Sequence, residues 1–168
     1  MQRQTRSVIV LPIILALAVS ASFAEKQTLV KSTGETTIAA KYQNLAIQVK
    51  IVTHEVDIGE PSNGRPDVIR SNCTYSRHPC SIVDYINISV NGKSLFVPRS
   101  VFSDLADLSR GEIRANKDSA TLILDGGDAS ESYILKVSFN AEHVKSRTIV
   151  AGEFDEVLET TSYFQVVH

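Results

Sequence analysis

Apolar residues recur at every second position in several stretches of this chain, which is the period of a β-strand with one face buried. Leu45, Ile47, Val49 and Ile51 alternate with Ala46, Gln48 and Lys50, while Tyr133, Leu135, Val137 and Phe139 share one face against Ser132, Lys136 and Ser138. The sharpest signal is residues 84–98, DYINISVNGKSLFVP. Asn91-Gly92 tolerates the positive φ angles of a type I′ turn and predicts a two-residue hairpin. Val90 then lies opposite Lys93, Ile88 opposite Leu95 and Ile86 opposite Val97, so two apolar pairs share a face that needs a second layer to cover it.

Further strands follow from the same reasoning. Thr28 to Ser32 and Thr36 to Lys41 flank a turn at Gly34. Ile113 to Ala115 and Ala120 to Leu124 flank the turn-rich Asn116 to Ser119, which pairs Ala115 with Ala120 and Ile113 with Leu122. Val144 to Val150 and Val157 to Val167 are separated by the acidic turn Gly152 to Glu156. Between the hairpin and Ile113, Pro98 closes a strand, Ser100 has the chemistry of an N-cap, and Val101, Leu105 and Leu108 recur at helical spacing. The pattern predicts about eight strands and one short helix. Mostly short connections favour antiparallel pairing, hence a small antiparallel β-sandwich or partly closed barrel.

The period breaks from Asp57 to Ser81, where Gly59, Pro61, Gly64, Pro66 and Pro79 punctuate a segment with no sustained repeat. Connections this long inside a compact domain are either functional or disordered. Cys73 and Cys80, the only two cysteines, lie at its far end. Their redox state depends on the compartment. Arg3 and Arg6 precede an apolar run from Val8 to Val19, and Ser22-Phe23-Ala24 ends in the small-x-small pattern of a cleavage site, so residues 1–24 read as a secretory signal peptide. The run is shorter than the roughly 20 residues that span a bilayer, so no membrane insertion is expected after cleavage. An exported chain, periplasmic or secreted, favours a Cys73–Cys80 disulfide that fixes a local ring. Residues 25–168 then form one β-rich domain with a stapled loop at 57–81.

Charge narrows the partners. The chain carries 17 basic and 19 acidic residues, and loss of Arg3 and Arg6 with the leader would leave it at net −4. Such a balance offers no footprint for nucleic acid. Signatures of catalysis are likewise missing: there is no G-x-S-x-G elbow and no H-E-x-x-H pair, and His54, His78, His143 and His168 are scattered, so the chain is read as a non-enzyme without a cofactor. Asp125, Asp128 and Glu131 surround two glycines and form a weak candidate for Ca²⁺, although their spacing is not that of an EF-hand.

The stapled ring is the stronger candidate. Tyr75, Arg77 and His78 lie within it, and Arg65 and Arg70 precede it on the same loop. Tyrosine and arginine are enriched among residues that carry interface energy, and a disulfide with a proline lowers the entropy lost on docking. The expectation is a protein-binding module of the cell envelope, acting as an inhibitor or immunity-type partner of an enzyme there. Alternatives are a carbohydrate-binding or structural envelope domain, marked by exposed aromatic residues on its strands, or a small hydrolase without a local motif. The chain has no tryptophan, which weighs against sugar stacking.

Overall fold

The computed structural model describes residues 27–59, 73–75 and 77–165; the expected signal peptide, Arg65, Arg70 and the last three residues lie outside them. Among the described residues, ten strands form two antiparallel sheets that pack face to face as a sandwich, with no barrel closure. They are β1 (Thr28–Leu29), β2 (Gly34–Tyr42), β3 (Leu45–Val56), β4 (Cys80–Val90), β5 (Lys93–Ser94), β6 (Leu108–Ala115), β7 (Ala120–Gly126), β8 (Tyr133–Phe139), β9 (Val144–Ala151) and β10 (Val157–Ser162). The larger sheet has the order β1-β6-β7-β8-β9-β10 and the smaller β2-β3-β4-β5. Period-two alternation puts Ile47, Val49, Ile51, Ile86 and Ile88 of one sheet against Leu122, Leu124, Leu135, Val137 and Phe139 of the other, all buried.

Turn chemistry fixed two registers as read from the sequence. Asn91 and Gly92 have φ of 52° and 79°, and Val90 pairs with Lys93. The Asn91 side-chain oxygen also accepts the Ala46 amide at 2.8 Å, which ties this hairpin to the start of β3. Ala115 pairs with Ala120 and Ile113 with Leu122 as expected, closed by Asn116, whose side-chain oxygen accepts from the amides of Asp118 and Ser119.

The strands expected on either side of Gly34 both form, the first shortened to Thr28–Leu29, but they lie in different sheets: β1 joins β6 in the larger and β2 joins β3 in the smaller. Two expectations fail, and both concern the outer edge of β4. The hairpin ladder stops at Ser94: Leu95 still donates to the Ile88 carbonyl at 2.8 Å, but Ile86, paired on its other side with Ile51 of β3, has no Val97 opposite it. Finally, 100–108 is not an α-helix, and the described residues contain only two 3-10 turns, Arg99–Val101 and Ala129–Glu131. Because β5 is so short, the edge of β4 is vacant beyond it. The connection occupies that edge: Val83 donates to the Leu105 carbonyl, Asp107 donates to the Ser81 carbonyl, and Ala106 bridges Ile82. Val101, Phe102 and Leu105 are buried all the same, as a plug between the sheets.

The plug is locked by a buried cation. Arg147, on β9, takes an inward position and is 4 % exposed. Its guanidinium donates to the Ser100 carbonyl at 2.8 Å, pairs with Asp104, and reaches Glu159 of β10 at 3.3 Å. Ser100 caps no helix; its hydroxyl lies 3.1 Å from the Tyr163 hydroxyl.

Candidate functional site

One end of the sandwich gathers the two features that the sequence singles out separately. Cys80 opens β4 fully buried, and its disulfide to Cys73 throws the ring out beyond the strand. On the opposite sheet, β7 ends at Gly126 and β8 begins at Tyr133, so the turn between them, with Asp128 and Glu131, rises beside the ring. The amide of Tyr75 donates to Glu131 Oε2 at 2.7 Å and joins the two across 56 residues of chain.

Beneath both lies Asp107, which is 1 % exposed and adopts a left-handed φ of 51°. Its Oδ1 accepts the Ser81 amide at 2.9 Å and its Oδ2 the Thr74 amide at 2.8 Å. Its own amide donates to the Ser81 carbonyl at 2.7 Å, and its carbonyl accepts the Gly127 amide at 3.2 Å. A single residue therefore braces the ring, the start of β4 and the β7–β8 turn. A buried carboxylate that accepts two amides is a strong charge-assisted anchor.

Glycines let the turn close this tightly. Gly126 pairs directly with Tyr133, whose ring occupies the space a Cβ would need, and Gly152 meets Ser132 in the same way. The Tyr133 hydroxyl crosses the end of the core to donate to the Ala106 carbonyl at 2.7 Å and accept the Ala106 amide at 3.2 Å. Burial pushes this hydroxyl well above the usual tyrosine range, against the opposing pull of the Ala106 hydrogen bond.

Between ring and turn is an open cleft of about 630 Å³, lined by Arg77, Arg110, Asp125, Asp128 and the Gly126-Gly127 backbone. Arg110 Nε lies 3.6 Å from Asp125 Oδ2, so the cleft presents two guanidiniums among carboxylates. Of the ring residues that the sequence singles out, Arg77 lines this cleft. Elsewhere on the ring, Tyr75 is 55 % exposed and His78 is exposed. Sequence reasoning missed Asp107, Arg110 and the role of Tyr133, none of which belongs to a local motif. The three acids weighed for Ca²⁺ diverge: Asp125 faces Arg110, Asp128 accepts the Ala129 amide, and Glu131 accepts the Tyr75 amide. Among the described residues, no three His, Cys, Asp or Glu side chains are grouped as a metal site requires.

Such an end can offer an exposed aromatic ring, hydrogen bonds and ion pairs of both signs, on a loop tied to the frame by a disulfide and three amide–carboxylate bonds. The disulfide is compatible with an oxidising compartment, and no helix among the described residues is long and apolar enough to cross a membrane. Comparison with protein-family models, with curated proteins and with solved structures gives no match for this chain.

Proposed function

We propose that this chain is an exported protein-binding module that docks through the stapled end of its sandwich, as an inhibitor or immunity-type partner of an enzyme in the cell envelope. The observation that carries the reading is the bracing of the ring by Asp107 and Glu131 through the Thr74, Tyr75 and Ser81 amides, next to a cleft of mixed charge that Arg77 lines. An interface loop fixed before docking loses less entropy on binding, and tyrosine and arginine anchors dominate interface energy. The test is capture of an envelope protein by the immobilised chain, repeated with Tyr75→Ala/Arg77→Ala. Loss of binding by about 2 kcal/mol or more with an unchanged melting temperature supports the site, and full retention sinks it.

A second reading gains from one observation. Phe96 and Phe164 are 82 % and 89 % exposed and, with Tyr163 and Pro98, line a groove of about 370 Å³. Exposed rings of this kind are what a carbohydrate-binding or structural envelope domain would use. Retention on envelope glycan that Phe164→Ala abolishes, with no protein captured, would favour it over the docking reading.

A further inference from the structure

Strand β10 is the outer edge of the larger sheet and is exposed along nearly its whole length. Edge strands with open hydrogen-bonding groups invite another strand, and proteins blunt them with charge, brevity or bulges. The opposite edge, β1, is two residues long, and the β2 edge of the smaller sheet carries Glu35 and Lys41. On β10 the sole charge is Glu159, which is already directed at Arg147. Beside it stand Val157, Leu158, Phe154 and Phe164, exposed by 59 %, 61 %, 77 % and 89 %.

We propose that β10 pairs antiparallel with β10 of a second copy of this chain, centred on Thr160. The register follows from which backbone groups remain open. Tyr163 donates its amide to the Lys145 carbonyl of the β9 side, so by alternation Thr161 and Glu159 also face β9, and Thr160 and Ser162 face outward. Two such strands can share hydrogen bonds only if outward residues meet outward residues. A dyad at Glu159 would set two carboxylates face to face, which is destabilising. A dyad at Thr161 would overlap only three residues of the strand, Thr160 to Ser162. A dyad at Thr160 pairs Thr160 with its own copy, Leu158 with Ser162 and Glu159 with Thr161, so no like charges are opposed and five residues of the strand overlap. The bulge at Leu158 limits the regular ladder at its start and makes this a modest, concentration-dependent association.

Sedimentation of protein expressed from the whole chain, across two decades of concentration, tests the pairing. The expected result is a shift from monomer toward twice the monomer mass. Thr160→Pro removes an outward amide without touching the β9 ladder, and Thr160→Lys opposes two cations at the dyad, so both remain monomeric with the parent's melting profile. Cysteine scanning reads the register: paired Cα atoms at a hydrogen-bonded site are about 5.5 Å apart, within disulfide reach, so Thr160→Cys cross-links under mild oxidation and Glu159→Cys does not. A parent chain that is monomeric at every concentration, a dimer indifferent to both Thr160 variants, or preferential cross-linking at residue 159 would each overturn the proposal.

Discussion

The carboxylate of Asp107 accepts the amide of Thr74 at 2.8 Å across 33 residues of chain, and through that contact the disulfide ring becomes part of the sandwich frame. A disulfide across so short a loop contributes about 2–3 kcal/mol by restricting the unfolded chain, but it does not orient the ring. Orientation comes from Asp107 and from Glu131, which hold Thr74, Tyr75 and Ser81 by their backbone amides.

Asp107→Ala is therefore expected to destabilise the protein by about 3 kcal/mol in urea titration, because two amides lose their acceptor and each buried orphan costs roughly 1–3 kcal/mol. Asp107→Asn should cost clearly less. Asparagine tolerates the left-handed φ and keeps one carbonyl acceptor. Amide exchange at Thr74 and Ser81 should quicken in the alanine variant before the rest of the sheet responds; uniform protection would show that the ring is held by other contacts.

Alkaline titration gives a separate test of the same end. Burial raises the Tyr133 pKa above its ordinary value of 10, so above pH 10 the unfolded chain holds fewer protons than the folded one. Stability from this group is complete below pH 10 and falls as pH rises, by at most about 1.4 kcal/mol per unit. Tyr133→Phe should flatten this slope and cost about 1 kcal/mol at neutral pH, since the backbone of Ala106 loses its partner. Equal slopes for parent and variant would place the alkaline transition elsewhere.

How much of this was legible in the sequence depended on whether the deciding interaction was local. Asn91-Gly92 and Asn116 to Ser119 set their registers through their own turn chemistry, so the pairings could be read directly. The alternation in β8 identified a buried face correctly, Tyr133 included. Residues 100–108 misled because Val101, Leu105 and Leu108 would be buried either as a helix or as a plug. The choice was made by the vacant edge of β4, which follows from β5 ending at Ser94. Asp107 was invisible for the same reason: its partners Thr74 and Ser81 are distant in sequence, and nothing beside it marks the left-handed turn. The ring and the acidic turn could each be seen, but not that β4 and the β7–β8 connection bring them to one end.

Arg147 separates charge from packing. Its guanidinium is buried, whereas the side chains of Asp104 and Glu159 are 36 % and 46 % exposed and can regain water if it is lost. Arg147→Ala is thus expected to cost about 2–3 kcal/mol, below the 3–5 kcal/mol of a fully buried pair, with the Ser100 carbonyl orphaned and a gap under the plug. Arg147→Met fills that gap and should recover most of the loss. If methionine is as damaging as alanine, the ion pairs and not the volume hold the plug in place.

Gly111 marks a close approach between the sheets. It lies on β6, and a Cβ there would come within 2.5 Å of Ile38 Cδ1 from β2 and 2.6 Å of Leu124 Cδ2. Both are ends of flexible side chains, so Gly111→Ala should overpack the core and cost about 1–3 kcal/mol without preventing folding. Ile38→Val alone removes Cδ1, leaves a small void and should cost about 0.5–1.5 kcal/mol. In combination the two changes compensate, because the new methyl occupies space that Cδ1 vacates. The double variant is expected to be more stable than the sum of the singles by about 1 kcal/mol, a coupling of the size found for residues in contact. Strict additivity would mean that the strain of Gly111→Ala is relieved toward Leu124 within the larger sheet, and that β2 does not set the spacing between the layers.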